Sequence, residues 1–235
     1  MNEAEFDKFA DEYHASLKAG IALSGESPEY FSEYKIADIA RECPNHARSL
    51  DASVKILDFG AGIGNSVPYV RKHFASAQLT CLDLSKRSLE VAQKRFANQA
   101  NYVSFDGASI PFPENHFDIA YAMCVFHHIP HVDHVKLLQE LHRVIKPGGK
   151  LLVLEFSKVA KPLEKPYDWY SFKVLPLLGK WVAGDDASYR YLAESIRMHP
   201  SQAELKAMMK QSGFGHVDFH NLTGGLVALH VGIRC

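Results

Sequence analysis

Several things are scarce in this chain, and each absence narrows what it can do. No stretch approaches the roughly 20 uninterrupted apolar residues that a membrane-spanning helix requires, so a protein embedded in a bilayer is not expected. The opening segment MNEAEFDKFADEY is acidic where a secretion signal is basic and then apolar, which gives a cytoplasmic expectation. An excess of positive charge is missing too: 26 Lys and Arg stand against 27 Asp and Glu. That balance gives little field to gather a phosphate backbone, and nucleic acid is not the expected partner. The four cysteines, Cys43, Cys81, Cys124 and Cys235, lie far apart with no Cys-x-x-Cys pair. Reduced, mostly buried thiols are expected rather than a zinc knuckle or a disulfide framework. There is no internal repeat and no low-complexity run, which argues against a repeat array.

What is present is an alternation. At 235 residues the chain is long enough for one sizeable α/β core and too short for two with a linker. Short apolar runs read as buried strands at Val54 to Phe59, Leu79 to Leu82, Tyr102 to Phe105, Phe117 to Cys124 and Lys150 to Phe156. Helical spacing of apolar residues separates them at Val67 to Phe74, Ser88 to Phe96 and Val135 to Ile145, with Pro147-Gly148-Gly149 as a helix stop feeding the next strand. Such βαβ order predicts a doubly wound, Rossmann-like α/β sheet forming a single domain over 1–235. Within it, 1–50 read as two helices laid over the sheet's carboxyl edge, 54–156 as the cofactor-binding core, and 157–200 as an inserted cap rich in Pro and aromatics. Residues 201–235 read as a helix, Gln202 to Gln211, and two strands, Val217 to Leu222 and Leu226 to Ile233, joined as a hairpin at Gly224-Gly225.

The sharpest local signal is Ile56-Leu57-Asp58-Phe59-Gly60-Ala61-Gly62-Ile63-Gly64: a strand, an acid near its end, a glycine turn, then a helix. Glycines let the backbone approach a ligand and take positive φ. A dinucleotide fingerprint would carry a third glycine one residue later, where Asn65 stands, whereas S-adenosylmethionine has no pyrophosphate and needs no such anion site. Asp58 is expected to organise the loop amides and face the cationic end of that cofactor. Asp83 ends the second strand 19 residues after Gly64, where a carboxylate can take both hydroxyls of a ribose. Asp106 and Gly107 follow the third strand, where a side chain can accept from an adenine amino group and a small residue leaves room for the ring. A tight turn without ligand, or solvated loop carboxylates, would explain any one of these features. Three acids at three successive strand ends are harder to explain that way.

Together with Leu82-Asp83, Pro111-Phe112-Pro113, Phe117-Asp118 and Arg143-Val144-Ile145-Lys146-Pro147-Gly148-Gly149, the loop resembles the ordered motif series of class I methyltransferases over about 54–156. That resemblance implies S-adenosyl-L-methionine as cofactor and a seven-stranded sheet in the order 3-2-1-4-5-7-6, its last strand antiparallel. It also implies a cofactor set of Asp58, Gly60, Gly62, Ile63, Gly64, Asp83, Asp106, Gly107 and Met123. From Lys146 onward the chain is similar to a narrower group, the ubiquinone and menaquinone biosynthesis C-methyltransferases. The matching segments are Leu154-Glu155-Phe156-Ser157-Lys158, Tyr170 to Pro176, Ser188 to Pro200 and Asn221 to Gly225. This implies methyl transfer to a ring carbon of a polyprenylated quinol precursor, a lipophilic small molecule, with a transient membrane-surface contact and a homodimer compatible with it. The front of the chain departs from that group. It reads Asp58-Phe59-Gly60-Ala61-Gly62 in place of Asp-Leu-Ala-Gly-Gly, and His127-His128 stand in place of an Arg-Asn pair.

Carbon methylation requires that a phenol proton leave and that a ring proton follow, so a base near neutral pKa is useful. His127 and His128 are the candidates, because they leave the fourth strand where a methyl donor would sit; a hydrogen-bonded core histidine is the bland alternative for each. His131 and His134 read as solvated loop and helix start. The four histidines make no convincing metal shell, since Pro130 interrupts them and no second cluster completes it. Tyr13, Arg190 and Arg197 are candidate substrate contacts, with ion pairs to cap acids the alternative for the two arginines. An O- or N-methyltransferase, or a protein that binds the cofactor without catalysis, would share the glycine loop and its acids.

Overall fold

The structure, a computed structural model, describes residues 28–47, 53–159, 169 and 197–235. Tyr13, Arg190 and most of the expected cap lie outside these residues. Seven strands alternate with helices: β1 (Lys55–Phe59), β2 (Gln78–Asp83), β3 (Asn101–Ser104), β4 (Phe117–Met123), β5 (Ile145–Phe156), β6 (His216–Leu222) and β7 (Val227–Ile233). They form one sheet in the order β3-β2-β1-β4-β5-β7-β6. β7 runs antiparallel to both β5 and β6, while β1 to β5 pair in parallel. The expected order and the antiparallel last strand are both present.

Each face is covered because the central strands β1, β2, β4 and β5 are buried on both sides. The helices α1 (Pro28–Glu42), α2 (Pro44–Ala47), α3 (Val67–His73), α4 (Lys86–Arg95), α5 (His134–Val144) and α6 (Gln202–Gln211) supply the cover. On one face Leu137, Leu138, Leu141 and Val144 of α5, spaced three and four apart, join Leu205 and Met209 of α6 against Leu57, Leu151 and Val153. On the other, Ile36, Ile39 and Cys43 pack with Val67 and Val70 of α3 against Ile56, Cys81, Ile119 and Leu152. Within the expected N-terminal segment, α1 lies on a sheet face, because its apolar residues match the sheet beside α3. Its Lys35 reaches the carboxyl edge, with Nζ 3.6 Å from Cys124 Sγ.

The Pro147-Gly148-Gly149 stop also needs correcting. The helix already ends at Val144, and Ile145 pairs with Phe117 before the register jumps to Lys150 opposite Ile119. The tripeptide is a bulge inside β5. Gly148 takes φ +79°, and a Cβ on Gly149 would stand 2.7 Å from Ile145 and 2.8 Å from the Asp118 carbonyl, so the bulge admits only glycine there. Among the described residues no helix is long and apolar enough to cross a membrane.

Candidate functional site

The strand order reverses between β1 and β4, and in open α/β sheets ligands bind at the carboxyl ends of the strands at that point. Two loops meet here. The glycine loop leaves β1 with positive φ at Gly60 (+78°), Gly62 (+52°) and Gly64 (+76°). Gly60 is required sterically as well, since a Cβ would lie 2.4 Å from Val125 Cγ2 in the turn after β4. At Gly62 no atom lies within 4 Å of a built Cβ, so the front of the loop is open. Gly64 instead faces α4, with Ala92 Cβ 3.0 Å from its built Cβ. Ile63 is buried, and its carbonyl accepts from Arg95 Nη1 at 2.9 Å.

The acids divide the work differently from the expectation. Asp58 does not hold the loop amides: it is 4% exposed, accepts the Ser66 hydroxyl and lies beside the Tyr121 hydroxyl. Burial pushes its carboxyl up to about 6, against the lowering effect of those two hydroxyls. The loop amide is held by Asp83, whose Oδ2 accepts from Gly62 N at 2.7 Å while Oδ1 accepts from Ser85 N at 2.9 Å. A carboxylate has about four acceptor positions, and Asp83 spends one on each oxygen in holding these two amides. Asp106 is exposed, and its Oδ1 takes the amides of Ala108 and Ser109, both at 2.8 Å. These backbone bonds hold its carboxyl below the usual range. Gly107 (φ +83°) and Asp106 line a cavity of about 200 Å³ with Leu84, Ala108, Ile129 and Lys136. An acid at the end of β2, an open glycine loop and a cavity beside Asp106 in series fit an adenosine-bearing cofactor. Met123 ends β4 on the opposite sheet face, against the cluster that holds Tyr121.

After Met123 the backbone turns through Cys124 at φ +57° into a 3₁₀ turn, Phe126–His128. The rings of His127 and His128 therefore do not diverge as they would on a continuing strand; their centroids are 3.9 Å apart. His127 Nδ1 lies 3.0 Å from Glu155 Oε2, with side-chain exposures of 3% and 0%. The other Glu155 oxygen accepts the amides of Val125 and, at 2.6 Å, Phe126. On Glu155, burial acts to raise the carboxyl, but His127, His199 and the Phe126 amide together hold it below its ordinary value. Burial, with His127 beside it, pushes His128 down to about 4.

Glu155 is the residue that sequence reasoning missed, although one charge inside the apolar run Leu151 to Phe156 was a readable signal. His134 is the second correction. Far from solvated, it is 1% exposed, and Nε2 donates to the carbonyls of Phe126 and Ile129, both at 2.9 Å, so it clamps the turn that bears His127 and His128 from behind. His131 is exposed, as expected. Arg197 is exposed. Cys43 and Cys81 are buried thiols, Cys124 is half-buried and Cys235 exposed. Among the described residues no group of three or more His, Cys, Asp or Glu is arranged to hold a metal ion.

Comparison with known proteins agrees with this arrangement. The Aquifex aeolicus "SAM dependent methyltransferase" superposes with a TM-score of 0.60 at 16% identity, covering 100% of both chains. The Haemonchus contortus phosphoethanolamine N-methyltransferase 2 in complex with S-adenosyl-L-methionine gives 0.65 at 15% identity, over 97% of this chain and 60% of that one. These likenesses establish the fold. The ubiquinone/menaquinone biosynthesis C-methyltransferase UbiE of Cupriavidus necator is 47% identical over 99% of this chain and 95% of its own length. Its Neisseria meningitidis counterpart is 44% identical over 77% of this chain and 74% of its own. The model of the ubiE/COQ5 methyltransferase family matches residues 31–234, and the chain belongs to that family.

Proposed function

We propose that this methyltransferase moves a methyl group from S-adenosylmethionine to a ring carbon of a prenylated quinol precursor of ubiquinone or menaquinone. The protein is cytoplasmic and meets its lipophilic substrate at a membrane surface. The observation that carries the reading is the contact between Gly60 and Val125, which sets the glycine loop directly against the turn bearing His127. When bound, S-adenosylmethionine supplies an electrophilic methyl group on a sulfonium. Asp83 holds its ribose, Gly60 to Gly64 and Met123 border its methionine portion, and Asp106 with Gly107 frames its adenine. Asp58, neutral over part of the acid range, braces the loop from below through Ser66.

Displacement at a methyl group requires chiefly alignment, so the remaining demand falls on proton transfer. His127 takes a proton from the acceptor ring. As the acceptor's ring carbon bonds the methyl group, the carbon–sulfur bond would break with its electron pair left on sulfur, and the proton on that ring carbon passes to His127, returning the C–H electron pair to the ring. His128, with its ring pushed down to about 4, is a far weaker base at neutral pH. The test is incubation of the purified protein with methyl-labelled S-adenosylmethionine and a reduced short-tail prenyl quinol lacking the ring methyl. Mass spectrometry and NMR should find the label on carbon. Label on oxygen, or none in any product, sinks the proposal.

A further inference from the structure

Glu155 is difficult to explain as scaffolding alone. It sits at the carboxyl end of β5, wholly buried, facing the same side of the sheet as Val153 and as His230, which pairs with Val153. Burying an ionised carboxylate is unfavourable unless partners compensate it, and a neutral acceptor would serve the Val125 and Phe126 amides equally well. Among the described residues, the titratable groups around it include His127, His128, His134, His199, His230 and Cys124. Most are held neutral by burial: His128 and His199 are pushed down to about 4, His134 and His230 are lowered, and the Cys124 thiol is raised. Two of these point their hydrogen-bonding elsewhere. His134 Nε2 is spent on the carbonyls of Phe126 and Ile129, and His230 Nε2 lies 3.0 Å from the Gln202 carbonyl. Among the described residues the imidazole placed against the carboxylate is that of His127, through Nδ1 at 3.0 Å.

An ionised carboxylate only accepts, so the proton of a neutral His127 must lie on Nδ1, and its lone pair on Nε2. We propose that Glu155 is the positioning residue of the acceptor side. It holds His127 in the tautomer protonated on Nδ1 and fixes the turn that carries it, leaving Nε2 to take the substrate's proton. This rests on His127 acting as the base. One carboxylate thus performs two tasks with its two oxygens: Oε1 takes the amides of Val125 and Phe126, and Oε2 takes the ring. When Nε2 gains its proton, the neutral ring becomes an imidazolium beside a buried anion, and the pair strengthens as the reaction proceeds. A carboxylate that orients an imidazole in this way matters most through the tautomer it selects.

The test uses the full chain labelled with ¹⁵N-histidine. Long-range ¹H–¹⁵N spectra of the wild type should show His127 with a protonated Nδ1 and an unprotonated Nε2, assigned by the loss of those signals in His127→Ala. Glu155→Gln presents an amide donor to the ring and should invert the tautomer. With S-adenosylmethionine and the reduced short-tail prenyl quinol, its kcat should fall by about 10²- to 10⁴-fold while KM and cofactor affinity hold. A wild-type spectrum with the proton on Nε2 overturns the proposal, even if Glu155→Gln fails to fold. So does a folded Glu155→Gln with unaltered tautomer and turnover. Full turnover in His127→Ala would overturn the base reading itself, and it is told apart because the wild-type tautomer would still be protonated on Nδ1.

Discussion

Asp58 and His199 are each 4% exposed and lie on opposite faces of the sheet, yet they respond to acid in opposite senses. The Asp58 carboxyl, pushed up to about 6 by burial, is protonated in the folded chain and ionised in the unfolded one between about pH 4 and 6. Its contribution to stability is present below about pH 4 and lost as pH rises through 6. His128 and His199, pushed down to about 4 by burial, are neutral in the folded chain while their unfolded counterparts charge near 6.5. Their contributions are present above about pH 6.5 and lost as pH falls toward 4. Two histidines oppose one aspartate, and the buried His134 and His230, also lowered, add to the histidine side. The melting temperature should therefore drop between about pH 6.5 and 4, and His199→Gln should drop less steeply. Scanning calorimetry across that window checks it; parallel curves would refute the assignment. At this scale the sequence was least legible. His134 reads as a solvated helix start because nothing local reveals that Phe126 and Ile129 turn their carbonyls toward it. The partners of Glu155 come from four separate stretches of chain, and Asp83 takes the loop amide expected of Asp58 because the loop folds over the end of β2.

Elements were more legible, since hydrophobic period and capping are local properties. The helix expected from Gln202 to Gln211 has those bounds, and the reason is visible in Ser201. Its hydroxyl accepts from Glu204 N, while the Glu204 carboxylate returns a bond to Ser201 N at 2.7 Å. A capping box of this kind satisfies two otherwise unpaired amides. Ser201→Ala should lower stability by about 1 kcal/mol, read as a shift in urea midpoint with an unchanged slope. No shift would mean that packing of Leu205 and Met209 alone holds the helix start. The elements that misled did so where tertiary contact overrides local chemistry. Pro147-Gly148-Gly149 has the composition of a helix stop, but Arg234 exchanges backbone bonds with Gly148 and Gly149 and draws the tripeptide into the sheet. The helix α1 has a weak apolar stripe and few local cues to which surface it joins.

For the molecule as a whole, the sheet order followed from the motif series, because βαβ connections leave few topologies open. A ligand that binds only the folded chain stabilises it by mass action. S-adenosylmethionine at a hundred times its dissociation constant should contribute about 2.7 kcal/mol, or roughly 5 to 10 °C in melting temperature for a chain of this size. NAD should give no shift, because Asn65 occupies the place of the third dinucleotide glycine and its Oδ1 is bound to Arg95 at 2.7 Å. Stabilisation by NAD alone would reverse the cofactor assignment. The contact between Gly60 and Val125 has a thermodynamic corollary. Val125 is tied by its amide to Glu155, so a cofactor that displaces the glycine loop must also do work on the turn bearing His127, against which the acceptor sits in the proposed reaction. The two binding equilibria are thereby linked. Whatever factor one ligand applies to the affinity of the other is returned undiminished, and the free energies around the cycle of binary and ternary complexes must close.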